Sequence, residues 1–259
     1  MTAKQLLILG GTGEAAALAR AALDRFGDAL GVTTSVAGRT ERPGPLLGRI
    51  RIGGFGGANG LAAYLAEHGI DRLIDATHPF ATRISTEARL ACEQARVSRL
   101  LLLRAPWRRH PLDRWIEVES AAAAAEIVGR IGRRAFLTVG AGELARFAAA
   151  TEVRFLVRLV DLPRRRLPLR FYEVVIGRGP FTLAEERQRL EHHAIDVLVC
   201  KASGGAATEA KLTAARELNL PVVMVRRPCR EPGSAVETIE AALDWLASAL
   251  PFPDAKRVS

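Results

Sequence analysis

The first residues whose types and spacing indicate chemistry form a glycine-rich turn near the amino terminus. Gly11, Gly13 and Ala16 match the spacing G-x-G-x-x-G/A of dinucleotide-binding turns. Apolar residues 6–9 before the turn predict a strand, and alanine-rich residues 13–26 after it predict a helix. Such glycines let the backbone approach a pyrophosphate, which then meets free N–H groups and the positive end of the helix dipole. The spacing therefore predicts a dinucleotide site, and a tight turn without a ligand is the alternative.

The second predicted strand indicates which dinucleotide would bind. An NAD site usually has an acidic residue about 20 residues after the turn, where it holds the ribose hydroxyls. Residues 34–40 read TSVAGRT and contain no carboxylate. They offer a hydroxyl at Ser35 and a guanidinium at Arg39, with Gly38 between them, which is the chemistry that accommodates a 2′-phosphate. This segment favours NADPH over NADH, unless Arg39 is an ordinary surface arginine.

Two further loops in the first half follow predicted strands. The glycine cluster at 53–57, which includes Gly54, would let the backbone approach a ligand, or it is a flexible turn. Thr77 and His78 follow the predicted strand at 73–75. Ligands of open α/β sheets lie beyond the carboxyl ends of the strands. We therefore expect Thr77 and His78 to face a cofactor cleft, with His78 as a site-lining residue or a proton donor.

A loop in the second half, 177–182, precedes a predicted helix. It contains Arg178 between two glycines, and Thr182 is followed three residues later by Glu185. This spacing predicts a capping box, which gives the loop a purely structural alternative.

A second glycine loop, 200–205, also lies between a predicted strand and a predicted helix. It contains Lys201, Ser203, Gly204 and Gly205. A lysine at the carboxyl end of a strand could bind a carboxylate or donate a proton.

The elements that must position these residues alternate between strands and helices, which predicts parallel sheets. The strands are predicted at residues 6–9, 31–36, 49–52, 73–75, 100–103, 135–139, 153–160, 172–176, 195–200 and 222–225. The helices are predicted at residues 13–26, 61–68, 81–96, 119–131, 143–150, 183–193, 206–218 and 236–250. Residues 105–118 interrupt the alternation and predict a crossing between domains. The fold class is therefore α/β, with an N-terminal domain at 1–110 and a C-terminal domain at 111–259.

The composition narrows the classes of molecule that the protein is expected to bind. The formal net charge is +9, and only four of the 37 basic residues are lysines. Arginine binds carboxylates and phosphates bidentately, so a diffuse excess of arginine suits a small polyanionic molecule. Aromatic residues make up 5% and are not interleaved with basic ones, so a surface that stacks single-stranded nucleic acid is not expected.

The sequence lacks the motifs of several other classes of protein and of site. Three cysteines that lie far apart predict neither disulfides nor a metal site, and they indicate a reducing cytoplasm. No apolar run approaches the roughly 20 residues that span a bilayer. The P-loop and G-x-S-x-G signatures are absent, and neither tyrosine has a lysine four residues later.

Taken in order, these segments resemble the precorrin-6A reductase family of cobalamin biosynthesis, over about residues 5 to 249. The resemblance is carried by LGGTGEA at 9–15, SVAGR at 35–39, GGFGG at 53–57, DATHPFA at 75–81, GPF at 179–181 and KASGG at 201–205. It departs from the family at Ala202, where asparagine is expected.

The resemblance implies two Rossmann-like, three-layer domains with mostly parallel sheets and the active site between them. It implies NADPH-dependent reduction of one double bond of the precorrin-6A macrocycle, which gives precorrin-6B. The N-terminal domain would bind NADPH through Gly10, Gly11, Thr12, Gly13, Glu14, Ala15, Ser35, Gly38, Arg39, Gly54 and Thr77. The C-terminal domain would bind the macrocycle through Arg178, Lys201, Ser203 and Gly204. The proton donor would be Lys201, His78 or a water molecule.

Other functions remain open at this stage. A non-catalytic NADP(H)-sensing module would need the first glycine turn but not the second-half loops. A methyltransferase also uses a glycine turn after its first strand, although Arg39 stands where such sites commonly have an acid. An arginine-driven nucleic-acid binder would show a steep dependence on salt. We expect a monomer or a small homo-oligomer, and whether the macrocycle carries cobalt is left open.

Overall fold

The structure is a computed structural model that describes residues 3–38 and 47–249. The chain folds as two compact units. The first unit runs to Arg104 and resumes at Pro228, and the second unit is Ala105–Arg227.

The described residues contain twelve strands and seven α-helices. The strands are β1 (Lys4–Leu9), β2 (Leu30–Val36), β3 (Arg49–Ile52), β4 (Arg72–Asp75), β5 (Ser98–Leu102), β6 (Trp115–Val118), β7 (Arg134–Thr138), β8 (Arg154–Leu159), β9 (Phe171–Ile176), β10 (Val197–Lys201), β11 (Val222–Val225) and β12 (Ala235–Val236). The α-helices are α1 (Gly13–Phe26), α2 (Ala58–Glu67), α3 (Thr82–Ala95), α4 (Ala121–Ile131), α5 (Leu183–His192), α6 (Ala210–Glu217) and α7 (Ile239–Ala249). Short 3-10 helices lie at Gly27–Ala29, Ala141–Phe147 and Ala206–Thr208.

The first unit is built around a parallel sheet in the order β12-β5-β4-β1-β2-β3. Strand β1 lies inside this sheet, and successive side chains point to opposite faces. Leu6 and Ile8 pack with residues of α1 and α7, whereas Leu7 and Leu9 pack with residues of α2 and α3. Each such burial contributes roughly 1.5–3 kcal/mol. A continuous apolar run is therefore what a strand covered on both faces requires.

The second unit contains another six-stranded parallel sheet, in the order β6-β11-β10-β7-β8-β9. Phe136, Leu198 and Cys200 share a core with residues of α5 and α6. Helix α4 packs against β6, β10, β11 and the 3-10 helix Ala141–Phe147. This arrangement confirms the predicted α/β class with parallel sheets.

Each sheet has a point at which the order of its strands reverses along the chain. In the first unit the chain runs from β1 to β2 and β3 on one side and then to β4 and β5 on the other. In the second unit it runs from β7 to β8 and β9 and then to β10 and β11. Loops at the carboxyl ends of the strands that flank such a switch point diverge and leave a crevice. The switch points therefore lie between β1 and β4 and between β7 and β10.

The predicted domain boundaries were wrong at the carboxyl-terminal end. Strand β12 pairs with β5, and Leu243 and Leu246 of α7 share a core with Leu18 of α1, so the last described segment belongs to the first unit rather than to a domain at 111–259. The first boundary lies at 104/105 rather than 110. Strand β12 has two residues, which is too short for a recognisable strand pattern.

Two local predictions were also wrong. Part of the predicted crossing at 105–118 is strand β6, which pairs with β11. The helix predicted at 143–150 is the 3-10 helix Ala141–Phe147, which begins after Gly140 at a φ of +87°. No helix among the described residues has the length and apolar character needed to cross a membrane.

Candidate cofactor and substrate sites

The turn after β1 is closely packed against β2. The Gly10 N–H donates to the carbonyl oxygen of Ser35 at 2.8 Å. A Cβ atom on Gly10 would lie 2.9 Å from Thr34 Cγ2 and 3.2 Å from the Ala15 side chain. Gly11 has a φ of +98°, and a Cβ atom there would meet nothing within 4 Å. Gly10 therefore allows the close approach of strand and helix, whereas Gly11 faces open space in a conformation that favours glycine.

Thr12 links the two strands of the first switch point. Its hydroxyl caps α1 by accepting from the Ala15 N–H at 3.1 Å, and it donates to the carbonyl oxygen of Ala76 at 2.7 Å, just after β4. Within residues 3–38 and 47–249, the N–H groups of Gly11 and Gly13 donate no backbone hydrogen bond outside the helices and strands. A helix amino terminus with unused N–H donors at a switch point attracts an anion.

Glu14 places a carboxylate in the first turn of α1, close to the donors that would hold a pyrophosphate. Its Oε2 lies 2.7 Å from Arg104 Nη2, and the Arg104 side chain is largely buried. A lone carboxylate here would repel a pyrophosphate, and the guanidinium offsets this repulsion. The ion pair makes Arg104 part of the candidate site.

The residues predicted for the adenosine end of the cofactor lie in β2 and just after it, and the loop after β3 contains Gly54, which was predicted to bind the cofactor. The Ser35 side chain is buried, and Gly38 has a φ of +67° with its Cβ position 3.0 Å from Ile52. Arg51 donates to the carbonyl oxygens of Gly53 and Gly54, at 2.6 and 2.8 Å, and its guanidinium stacks on the Phe55 ring at 3.7 Å. These contacts order the glycine cluster. Arg39 lies outside the described residues.

The loop after β4 is held by Asp75. Asp75 is buried, and its Oδ1 accepts from the Thr77 N–H at 3.1 Å and from the Thr77 hydroxyl at 2.7 Å. His78 Nδ1 accepts from the Phe80 N–H at 3.2 Å. A neutral imidazole with this acceptor carries its proton on Nε2. Thr77 and His78 thus lie at the carboxyl end of β4, as predicted, and Thr77 has an internal partner for its hydroxyl proton.

The second switch point brings together an ammonium and a carboxylate. Lys201 Nζ, at the end of β10, lies 3.2 Å from Glu143 Oε1 in the turn after β7. The two side chains are 17% and 35% exposed, so both reach solvent. Lys201 is the predicted residue of this pair, and Glu143 was not predicted.

The loop that follows Lys201 is held by backbone contacts on several sides. Arg227 donates to the carbonyl oxygens of Ala202 and Ser203 at 2.6 and 2.8 Å, and Trp107 donates to that of Gly205 at 2.8 Å. Gly204 has a φ of +66°, and a Cβ atom there would overlap Arg227 and the carbonyl oxygen of Ala105. These hydrogen bonds hold the backbone of the loop in place, and the loop requires glycine at position 204.

The loop at 177–182 rests on a buried ion pair. Arg158 Nη2 lies 2.7 Å from Glu186 Oε1, and the Arg158 guanidinium stacks on the Phe181 ring at 4.0 Å. Burial lowers the pKa of the Arg158 guanidinium, and the hydrogen bond with Glu186 opposes this shift. Arg178 is exposed.

The capping box at the start of α5 is confirmed. Thr182 and Glu185 exchange hydrogen bonds between side chain and backbone. Hydrogen bonds from the Thr182 backbone and hydroxyl hold the pKa of the Glu185 carboxyl below its ordinary value.

Two thiols are poor candidates for chemistry. Burial raises the pKa of Cys92 to about 12 and that of Cys200 to about 11, so both thiols stay neutral.

The residues that the sequence did not indicate share one property. Arg104, Glu143 and Arg227 each contact a partner that is distant in sequence, and each lies just after a strand. The available signal was position: all three follow strands at their carboxyl ends, where ligands of parallel sheets bind.

The sheet order and the glycine turn of the first unit define a dinucleotide-binding protein of the Rossmann class. Comparison with known proteins identifies the family within this class. Residues 5–247 match the family described as precorrin-6x reductase CbiJ/CobK. The chain belongs to this family, which implies an oxidoreductase with a nicotinamide cofactor.

Individual relatives agree with this assignment. A precorrin-6A reductase of Rhodobacter capsulatus is 43% identical over 94% of this chain and 96% of its own length. The precorrin-6A reductase of Rhodococcus erythropolis is 41% identical over 94% of this chain and 98% of its own length. A cobalt-precorrin-6A reductase of Priestia megaterium is 28% identical over 94% of this chain and 98% of its own length. A solved structure titled CobK precorrin-6A reductase superposes with a TM-score of 0.90 at 42% identity, covering 95% of this chain and 97% of that one.

Proposed function

We propose that this protein is an NADPH-dependent reductase of the precorrin-6A macrocycle that gives precorrin-6B in cobalamin biosynthesis. The observation that carries the proposal is the glycine turn at the first switch point, in a chain whose relatives of 41–43% identity are named precorrin-6A reductases. Those relatives match it over almost their whole length. The more distant relatives, at 28–30% identity, are named cobalt-precorrin-6A reductases. This distribution supports a metal-free macrocycle as the natural substrate.

The first unit would bind the cofactor. The open space over Gly11 and the N–H donors of the turn fit a pyrophosphate, and Arg104 offsets the charge of Glu14. NADPH, when bound, supplies the hydride. The residues assigned to the pyrophosphate are Gly10, Gly11, Thr12, Gly13, Glu14 and Ala15, and those assigned to the 2′-phosphate end are Ser35, Gly38 and Arg39. Gly54 and Thr77 complete the set, and His78 would line the nicotinamide side.

The second unit would bind the macrocycle. Its candidate residues are Arg178, Lys201, Ser203 and Gly204. The arginine-rich composition supports a substrate with many carboxylates. Of the proton donors that the sequence left open, Lys201 is the one that we favour, because its Nζ lies 3.2 Å from Glu143 Oε1, which orients the ammonium group, and because the side chain still reaches solvent.

The proposed setting is the cytoplasm, where the free cysteines Cys92, Cys200 and Cys229 would remain reduced. We expect no nucleic-acid or membrane partner, and a monomer or small homo-oligomer.

The proposal is tested by titrating the purified protein with NADPH and NADH in parallel and then following NADPH oxidation with precorrin-6A. We expect tighter binding of NADPH and oxidation that depends on the macrocycle. NADPH binding without oxidation would indicate a non-catalytic NADP(H)-binding module. Preference for NADH would contradict the 2′-phosphate assignment. A parallel assay with the cobalt-containing macrocycle tests the metal-free assignment, which a faster turnover of that substrate would contradict.

A further inference from the structure

The turn after β7 repeats the spacing of the turn after β1. Gly140, Gly142 and Ala145 have the same G-x-G-x-x-A pattern, and they follow the corresponding strand at the second switch point. Cβ atoms on Gly140 and Gly142 would meet nothing within 4 Å. By spacing and position alone, the second unit would have its own dinucleotide site.

One difference argues against a phosphate at the second turn. The segment after it is a seven-residue 3-10 helix, whereas α1 has 14 residues, so fewer aligned peptide dipoles would attract an anion. Glu143 places a carboxylate in the first turn of this helix, as Glu14 does in α1, and each carboxylate pairs with a cation. The cation at the second turn is Lys201, the residue that we assign to the substrate. The glycine turn after β7 is therefore a weaker phosphate site than the turn after β1, and its carboxylate contacts a substrate residue.

We propose that Glu143 is a positioning residue for Lys201 in the reduction. This inference rests on the proposed function. Lysine has a flexible four-carbon stem, and a carboxylate at 3.2 Å selects one orientation of its ammonium group. Both partners remain partly exposed, so the pair is accessible to a substrate and to water.

The chemistry of the step balances with Lys201 as the donor. One carbon of the reduced double bond receives the hydride with its two electrons, and the neighbouring carbon receives the proton from Lys201 Nζ. The lysine is left as a neutral amine and regains its proton from water. Glu143 stays a carboxylate throughout and keeps the amine in place for the next proton. The sum is the addition of one hydride and one proton across one double bond.

The ion pair is only partly buried, and its two side chains reach solvent, so we expect it to contribute less to stability than a fully buried pair. This separates a catalytic role from a structural one. Replacing Glu143 with glutamine keeps the shape and removes the charge. The loop of Lys201 should survive this change, because its backbone is held by Arg227 and Trp107 instead.

The experiment compares the Glu143→Gln variant with the wild type and with Glu126→Gln, a charge-matched control on the exposed face of α4. We expect kcat to fall about tenfold in Glu143→Gln, a part of the roughly 10²–10⁴-fold that a positioned proton donor contributes. The KM for NADPH and the melting temperature should not change. The solvent deuterium isotope effect on kcat should rise, because proton transfer becomes slower. Glu126→Gln should match the wild type.

A double variant completes the test. Glu143→Gln should cost nothing further in a Lys201→Met background, because the two residues act as one unit. An unchanged kcat, or a full additional loss in the double variant, would overturn the positioning role. A wild-type protein that does not oxidise NADPH with precorrin-6A would instead overturn the proposed function, and this inference with it.

Discussion

Replacing Thr12 with valine removes one hydroxyl that connects three parts of the first unit. The hydroxyl accepts from the Ala15 N–H and donates to the Ala76 carbonyl oxygen, so it caps α1 and ties the turn after β1 to the end of β4. Valine has the same shape but cannot make either hydrogen bond. Serine keeps the hydroxyl and loses only a methyl group, which makes Thr12→Ser the matched control.

The structure allows the cost of Thr12→Val to be estimated. Loss of a capping side chain costs about 1 kcal/mol. Ala76 is 2% exposed, so its carbonyl oxygen loses a donor that water cannot easily replace, at a further cost of about 1 kcal/mol. The sum of about 2 kcal/mol corresponds to a fall in melting temperature of about 4–8 °C for a unit of this size. The affinity for NADPH should also fall by about tenfold, which is equivalent to 1.4 kcal/mol, because the cap orients the N–H donors.

The assay is thermal unfolding of the wild type, Thr12→Val and Thr12→Ser, followed by titration of each with NADPH. Thr12→Ser should retain most of the stability and affinity. Equal losses in the valine and serine variants would show that the methyl group, not the hydroxyl, matters. An unchanged melting temperature in Thr12→Val would refute the estimate and with it the link across the switch point.

Three further predictions concern other residues. Arg39→Ala should weaken binding of NADPH far more than that of NADH, and equal losses in parallel titrations would contradict the 2′-phosphate assignment. Gly204→Ala should abolish most of the turnover, because a Cβ atom at a φ of +66° overlaps Arg227 and Ala105. These residues lie in the second unit, so binding of NADPH should not change. A parallel loss of cofactor affinity would contradict this prediction. Hydrogen bonds from Thr86 and Arg89, of which that from Thr86 has the larger effect, hold the pKa of the Glu231 carboxyl below its ordinary value. The ionised carboxylate therefore stabilises the fold above a pH of about 4.5, and this stabilisation is lost as the pH falls through the lowered pKa. The melting temperature of the wild type should exceed that of Glu231→Gln at neutral pH and converge with it in acid, and a gap that does not narrow would refute the assignment.

Much of the fold could be predicted from the sequence because its elements have strong local patterns. Strand β1 is a continuous apolar run, as a strand covered on both faces requires, and α1 begins at a threonine cap after glycines. The capping box of Thr182 and Glu185 was predicted for the same reason: both partners lie within one helical turn. Interactions between residues that are close together in the chain determine these features, so the sequence pattern predicts them.

The parts that could not be predicted depend on contacts between distant residues. Strand β12 has two residues, and only its pairing with β5 gives it a place in the first sheet. Glu143 and Lys201 are separated by 58 positions, and nothing near either residue indicates the other. Arg227 was inconspicuous among 37 basic residues, although it holds the loop of Lys201 through two carbonyl oxygens. Their roles follow from the tertiary fold, which no local pattern encodes.

The two units share one order of strands around the switch point but present different groups there. Both have a switch point and a G-x-G-x-x-A turn after the strand from which the order reverses. At the first, a threonine joins the diverging loops, and α1 presents N–H donors suited to a phosphate. At the second, a lysine and a glutamate join them, and the cation is suited to a carboxylate or to proton transfer. Because the sheet order and the glycine spacing are shared, we expect the helix after each turn and the side chains that bridge each switch point to decide what it binds. If this reasoning holds, the protein binds one NADPH per chain, and a second equivalent bound with similar affinity would refute it.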